Sequence, residues 1–310
     1  MALLEQLEPM LAAMRDAPAT GHATASVAER RAQMDAMTQA SFTSLATPGP
    51  AMVDERTHEV PVEGGTIRVR SYRAVEGSGL PLHVYIHGGG FWLGNIDLYD
   101  DSCRNTAAAI EGVVVSIGYR LAPEHPFPTP VEDCYTGLLW AVEHAAELGA
   151  DPARLTIGGG SAGGNLAAVM CLVARDRNGP AIRGQYLHIP ATDLTMSCPS
   201  IQSNGEGYML TRAGLEECCE YYVPDPQQRT HPYASPLLAP DLSGLPPALI
   251  ITAEYDPLRD EGEAYGRRLV EAGVTVTMKR ALGHIHGSMM MTKLIPDAVQ
   301  YEELAHAFLR

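Results

Sequence analysis

Residues 154–175 read Arg-Leu-Thr-Ile-Gly-Gly-Gly-Ser-Ala-Gly-Gly-Asn-Leu-Ala-Ala-Val-Met-Cys-Leu-Val-Ala-Arg, and this stretch decides the fold. A short apolar run (Leu155, Thr156, Ile157) enters a glycine block built around one serine, and an Ala-rich, helix-forming segment leaves it. That is a strand, a sharp turn and a helix, with Ser161 at the turn. Gly159-Gly160-Ser161-Ala162-Gly163 fits G-x-S-x-G, in which a serine in an unusual backbone conformation stands clear of the sheet. Glycines two before and two after the serine remove Cβ atoms that would clash with the adjacent strand and helix. The Ala162 N–H, at the N-terminus of the new helix, would face a developing oxyanion. Residues 158–163 also satisfy G-x-G-x-x-G between strand and helix, as a dinucleotide-binding turn does. The rest of the chain has to separate these readings.

With 310 residues and 45% apolar content, the chain can build one large core, and one α/β domain with an added cap is more economical than two full domains. A formal net charge of −15 leaves no broad basic surface for nucleic acid or an anionic membrane. The six cysteines (103, 134, 171, 198, 218 and 219) contain no C-x-x-C pair, so neither a disulfide framework nor a zinc site is expected, and Cys171 is expected to be a buried thiol. The first residues carry Glu5, Glu8, Arg15 and Asp16 rather than a basic start and a long apolar run. No stretch reaches the roughly 20 apolar residues that span a bilayer. The expectation is a soluble protein in a reducing cytoplasm, acting on neutral or weakly polar small molecules.

Leu4, Leu7, Leu11 and Met14 recur at helical spacing, and Ser26 with Glu29 forms a capping box before a second helix expected to run to about Ser41. Pro48 and Pro50 close this N-terminal segment, residues 1–50, which is read as a helical cap segment or packed appendage. The catalytic domain is expected over 51–310. It opens with a hairpin around Gly64-Gly65. Apolar runs then alternate with helical segments: Leu82 to Ile86, Val113 to Ile117, Leu155 to Ile157, Tyr186 to Ile189, Ala248 to Thr252 and Val274 to Met278. Such alternation implies an α/β fold with a mostly parallel sheet and helices on both faces. Thr129-Pro130-Val131-Glu132 is expected to cap a helix, with Thr129 as N-cap and Glu132 closing a capping box. Residues 190–245 interrupt the alternation with prolines at 199, 224, 226, 232, 236 and 240 and a helix expected at Arg212 to Tyr222. They are expected to form a second cap segment over the strand ends.

A second glycine motif, His87-Gly88-Gly89-Gly90, follows the run ending at Ile86. Glycines let backbone approach a substrate closely and turn its N–H groups inward, as an oxyanion hole requires. His87-Gly-Gly-Gly-Phe-Trp, Tyr119-Arg-Leu-Ala-Pro-Glu-His-Pro-Phe-Pro and Gly159-Gly-Ser-Ala-Gly-Gly, in this order and spacing, resemble the hormone-sensitive-lipase-like family of α/β-hydrolases. The likeness runs from about residue 60 to the end of the chain. It implies an α/β-hydrolase fold with a helical cap and a serine carboxylesterase that cleaves short- to medium-chain esters, with no cofactor and no metal.

The resemblance further implies a triad in the order Ser, Asp, His. Asp256 matches the family's D-P-L-x-D segment and is the expected acid, with Asp260 read as a first-turn helix residue and Glu254 as a loop carboxylate. Gly283-His284-Ile285-His286-Gly287 offers two histidines. The family's histidine precedes a glycine, which selects His286; His284 is then read as a partly exposed loop residue. Gly89, Gly90 and Ala162 are the expected oxyanion donors, with Gly88 in the same loop, and Tyr119 to Pro128 is expected to be a structural loop under the site. Trp92, Tyr208, Met209 and Leu210 are candidate pocket residues. The chain departs from the family at Gly118, at Gly160 and at Ser288, where Asp, a polar residue and Phe are usual; Gly160 is expected to loosen the elbow and Ser288 to alter packing around His286.

A dinucleotide site would leave Gly88 to Gly90, Asp256 and His286 unexplained, and offers Arg183 where an acidic ribose ligand is sought. The alternative within the family is a receptor-like protein that binds a small molecule without turnover; the presence of His286 favours the enzyme. The partner is accordingly a small-molecule ester. Edge strands or C-terminal helices are the elements through which a homodimer would form.

Overall fold

The turn at Gly64, with φ +75°, joins strands β1 (Asp54–Val62) and β2 (Gly65–Arg73), paired antiparallel from Asp54↔Arg73 to Val62↔Gly65. In the computed structural model, which describes residues 2–16 and 25–310, this hairpin is one edge of an eight-stranded sheet. The remaining strands are β3 (Leu80–Ile86), β4 (Val113–Gly118), β5 (Ala150–Gly160), β6 (Gly184–His188), β7 (Ala248–Tyr255) and β8 (Val276–Ile285). Their order is β1-β2-β4-β3-β5-β6-β7-β8. β2 runs antiparallel to β4, and every pairing from β4 to β8 is parallel.

The parallel strands are apolar because both faces are covered. Val113 to Ile117 are all buried, as are Ala248 to Ala253. One face carries α4 (Thr129–Glu143), α5 (Ala162–Asp176) and α8 (Arg259–Glu271), and the other α3 (Asp100–Ile110) and α9 (Val299–Leu309). Every residue of α5 from Ala162 to Ala174 is buried, so the helix leaving the serine turn is also the centre of the core. Among the described residues no helix is long and apolar enough to cross a membrane.

Two N-terminal helices precede the sheet, α1 (Glu8–Asp16) and α2 (Val27–Leu45); Met1 and residues 17–24 of the expected 1–50 segment lie outside the described residues. Leu7 and Leu11 are buried against Ile285, Met291 and Ile295, whereas Met14 is exposed. The Ser26–Glu29 capping box forms in both directions. The helix continues past Ser41 to Leu45, where the Thr43 and Ser44 hydroxyls donate back to the Gln39 and Ala40 carbonyls. The 190–245 insertion carries α6 (Pro199–Ser203) and α7 (Arg212–Tyr222), the latter at the expected bounds. Arg30 of α2 makes a bidentate contact with Glu217 of α7 at 2.6 and 2.7 Å, joining the N-terminal segment to the insertion.

Three expectations at element ends are corrected. Thr129 is not the N-cap: the Val131 and Glu132 N–H groups donate to Pro128 O, so the turn starts one residue earlier and Glu132 is drawn into an ion pair with Arg177. The last strand begins at Val276 and reaches Ile285, later than the apolar run suggested, because Gly273, with φ +83°, first closes α8. Glu254 lies within β7, not in the loop beyond it, and accepts from the Gly283 N–H at 2.7 Å.

Candidate active site

Ser161 follows β5 in a backbone conformation, φ +57° and ψ −118°, that an L-residue adopts only under constraint. The constraint comes from both sides. Its N–H donates to His188 O at 2.9 Å, and its carbonyl accepts from Ala191 N at 3.2 Å and Asn165 N at 3.0 Å. A Cβ on Gly159 would lie 2.4 Å from Ile86 O, and one on Gly163 2.0 Å from the same atom, so only glycine lets strand and helix close on the turn. Gly160 differs: the nearest atom to a Cβ there is His188 Nδ1 at 3.7 Å. No neighbour requires glycine at 160, and the bonds that hold Ser161 are formed with glycine there.

His286 follows β8, with Nε2 3.1 Å from Ser161 Oγ and Nδ1 2.8 Å from Asp256 Oδ2. Asp256 is fully buried, and its other oxygen accepts from Leu258 N at 2.8 Å. The Asn204 amide donates to the Asp256 carbonyl at 3.1 Å. The carboxylate is thus held in one orientation, and the imidazole lies between it and the hydroxyl. Asp260 instead pairs with Arg259 in the first turn of α8.

His284 corrects its expectation. It is fully buried at the end of β8, with Nδ1 2.9 Å from Ser288 Oγ and its ring edge-on to Tyr301; burial pushes its pKa down. Ser288, also buried, accepts from Ile285 N at 3.1 Å and donates to Ile285 O at 2.9 Å. A Phe there could do neither, so the family departure at Ser288 is matched to a buried histidine two residues before His286.

The Gly88–Gly90 loop lies against the serine turn. A Cβ on Gly88 would be 2.7 Å from Gly160 O. Gly89, Gly90 and Phe91 all have positive φ, +119°, +59° and +67°. His87 shapes the loop by donating from Nδ1 to Gly88 O at 2.8 Å, and it is stacked on Tyr119 at 4.3 Å. Burial lowers its pKa to about 4, which leaves it neutral. Tyr119 donates to His87 O at 3.1 Å, and Arg120 clasps buried Asp133 through two guanidinium contacts of 2.6 and 2.8 Å. Tyr119 to Pro128 is therefore a support under the loop, as expected. Ala162 is the first residue of α5 and is buried beside this loop.

Of the four candidate pocket residues, Trp92 is corrected. It is only 2% exposed, packed edge-on against Tyr221 with the Arg30 guanidinium 5.2 Å from its ring centre, so it has no open face. Tyr208, Met209 and Leu210 are half-buried. Met209 reaches the site, with Cε 3.2 Å from the position of a Cβ on Gly287; Tyr208 lies against Tyr255, and Leu210 packs on the main core. Cys218 of α7 was missed. Its Sγ would be 2.4 Å from a Cβ on Gly90, so α7 rests directly on the glycine loop. Arg31 and Asp35 of α2 were missed as well, since a polar helix face carries no sign of what it will reach.

A family model described as alpha/beta hydrolase fold matches residues 83–290. Carboxylic ester hydrolase LipN of Mycobacterium tuberculosis is 44% identical over 256 residues, 80% of this chain and 68% of that protein. Carboxylesterase NlhH of the same species is 41% identical over 269 residues, 84% of each chain. Among solved structures, a hyperthermophilic esterase from the archaeon Pyrobaculum calidifontis is similar over 100% of this chain and 98% of its own, with a TM-score of 0.92 and 38% identity.

Proposed function

The chain belongs to the α/β-hydrolase family matched over its residues 83–290 and is a carboxylic ester hydrolase, as its relatives are, and we propose that it works through an acyl-enzyme on Ser161. One observation carries this reading: the unbroken contact from Ser161 Oγ to His286 Nε2 at 3.1 Å and from His286 Nδ1 to Asp256 Oδ2 at 2.8 Å.

His286 Nε2 takes the Ser161 proton as Oγ bonds to the ester carbonyl carbon, and the carbonyl π electrons move onto oxygen. Asp256 accepts from Nδ1–H, which fixes the tautomer and offsets the imidazolium charge. The N–H groups of Gly89, Gly90 and Ala162 receive the oxyanion, each contributing about 3 kcal/mol of transition-state stabilisation. Collapse expels the alcohol, which leaves with the proton held by His286. Water, deprotonated by the same imidazole, then releases the acid and restores Ser161.

The substrate is a small ester with a short- to medium-chain acyl group. Cys218 lies against Gly90 and Met209 against Gly287, next to the proposed oxyanion loop and base; the acyl size itself follows from the family resemblance. Helices α1 and α2 with the 190–245 insertion act as the cap. Initial rates on p-nitrophenyl esters from acetate to decanoate, for wild type and Ser161→Ala, test the reading. A Ser161-dependent rate that falls at the longer chains is expected. Equal rates in both proteins would refute the acyl-enzyme, and no rate on any ester would favour a receptor-like protein that binds without turnover.

A further inference from the structure

The glycine loop proposed to supply oxyanion donors has little of its own to hold it. Gly89 and Gly90 sit at positive φ, where glycine is free to adopt many other conformations. What sets the loop is a turn, in which Gly89 O accepts from Trp92 N at 3.2 Å and Leu93 N at 2.8 Å. In a trans peptide the C=O of one residue and the N–H of the next point in opposite directions. Turning Gly89 O into the 89–93 turn therefore aims the Gly90 N–H out of it.

That turn is tied down from outside. Phe91 O accepts from Ala122 N at 3.0 Å. Arg31 donates from Nε to Trp92 O at 2.7 Å and from Nη2 to Ala122 O at 2.8 Å, so one guanidinium bridges the loop and its support. Asp35, one helical turn further along, accepts from the Gly94 N–H at 2.9 Å. Gly94 in turn packs so closely on Gly88 that a Cβ would be 2.6 Å from Gly88 O. Helix α2 has no buried residue; it meets the loop through polar groups directed at main-chain atoms. Charge-assisted bonds of this kind are about twice as strong as neutral ones and fix direction as well as distance.

We infer that Arg31 and Asp35 are positioning residues, through which the N-terminal helix aims the Gly90 N–H at the oxyanion. The inference rests on the esterase reading above. It assigns α2 a part in the chemical step, beyond covering the site.

The test compares wild type, Arg31→Met, Arg31→Lys and Asp35→Asn. For each, kcat and KM on p-nitrophenyl butyrate are measured together with the rate constant for inactivation by a serine-directed phosphonate, with active sites counted by burst titration. Removing one oxyanion donor costs about 10²–10³ in rate, so misaiming one is expected to lower kcat roughly tenfold or more. KM should stay within about twofold, since a loss confined to the transition state leaves ground-state binding untouched. Phosphonylation, which builds a similar anionic oxygen, should slow in parallel, and Arg31→Lys should recover part of kcat. Normal wild-type turnover with unchanged kcat per active site in Arg31→Met and Asp35→Asn overturns the inference alone, as does a rise in KM without loss of kcat. Absence of Ser161-dependent turnover in the wild type overturns the esterase reading and the inference with it.

Discussion

Replacing Asp256 by Asn exchanges one carboxylate oxygen for an amide nitrogen, and the structure determines which. Asp256 Oδ1 accepts from Leu258 N at 2.8 Å, and Oδ2 meets His286 Nδ1 at 2.8 Å, both at a fully buried residue. With the Asn oxygen toward Leu258, its NH2 faces Nδ1, so the imidazole must carry its proton on Nε2, 3.1 Å from Ser161 Oγ. It then donates where it must accept. The flipped amide sets its NH2 against the Leu258 N–H, leaving buried donors unpaired at about 1–3 kcal/mol each. Reaching the productive tautomer thus costs roughly 2–6 kcal/mol, and the carboxylate charge that steadies the imidazolium is also gone. The expected outcome is a fall in kcat of about 10³–10⁴, with KM and the urea midpoint close to wild type. Steady-state kinetics on p-nitrophenyl butyrate, normalised by burst titration, provide the measurement. A kcat within tenfold of wild type, or an equal loss in Asp260→Asn, would refute the assignment of Asp256.

Gly163→Ala should unfold the elbow: the new Cβ meets Ile86 O at 2.0 Å and His87 O at 2.6 Å, both main-chain atoms, and a loss of about 3 kcal/mol or more is expected in urea unfolding. Gly160→Ala, with its nearest neighbour at 3.7 Å, should leave the same midpoint nearly unmoved, and similar losses in both variants would contradict the close-approach argument. Stability should also fall in acid. Burial lowers the pKa of His83 and His188 to about 3 and of His87 to about 4, below an unfolded value of about 6.5. Between these limits the unfolded chain binds more protons, so this stability is fully present above pH ~6.5 and is lost as pH falls toward ~4 for His87 and ~3 for His83 and His188, by up to ~1.4 kcal/mol per pH unit for each histidine. Urea midpoints that stay flat from pH 7 to pH 5 would refute it.

Much of the site was legible because its demands are local. Gly159 and Gly163 are where they are because a Cβ has no room, and the apolar strands declare a covered sheet without any knowledge of their neighbours. The proposed acid and base could be picked out only through the motifs around them: D-P-L-x-D points to Asp256 and His-Gly to His286, and the structure places both beside Ser161. Where the outcome depended on a partner far along the chain, the residues carried no signal. Burial of His284 follows from Ser288 and Tyr301, Trp92 is sealed by Tyr221 and Arg30, and Thr129 loses its capping role because Pro128 already starts the turn. Arg31 and Asp35 look like ordinary solvent-facing residues until the loop they reach is in place.

The bond between Arg30 and Glu217 spans 187 residues of sequence. During synthesis at about 5–20 residues per second, roughly ten to forty seconds separate the making of α2 from the making of its partner. With no buried residue of its own, α2 draws its place in the fold from tertiary contacts, as most protein helices do. Every partner that seats this helix, from Trp92, Gly94 and Ala122 to Glu217, lies downstream of it in the chain, so the helix made first depends for its place on segments made later.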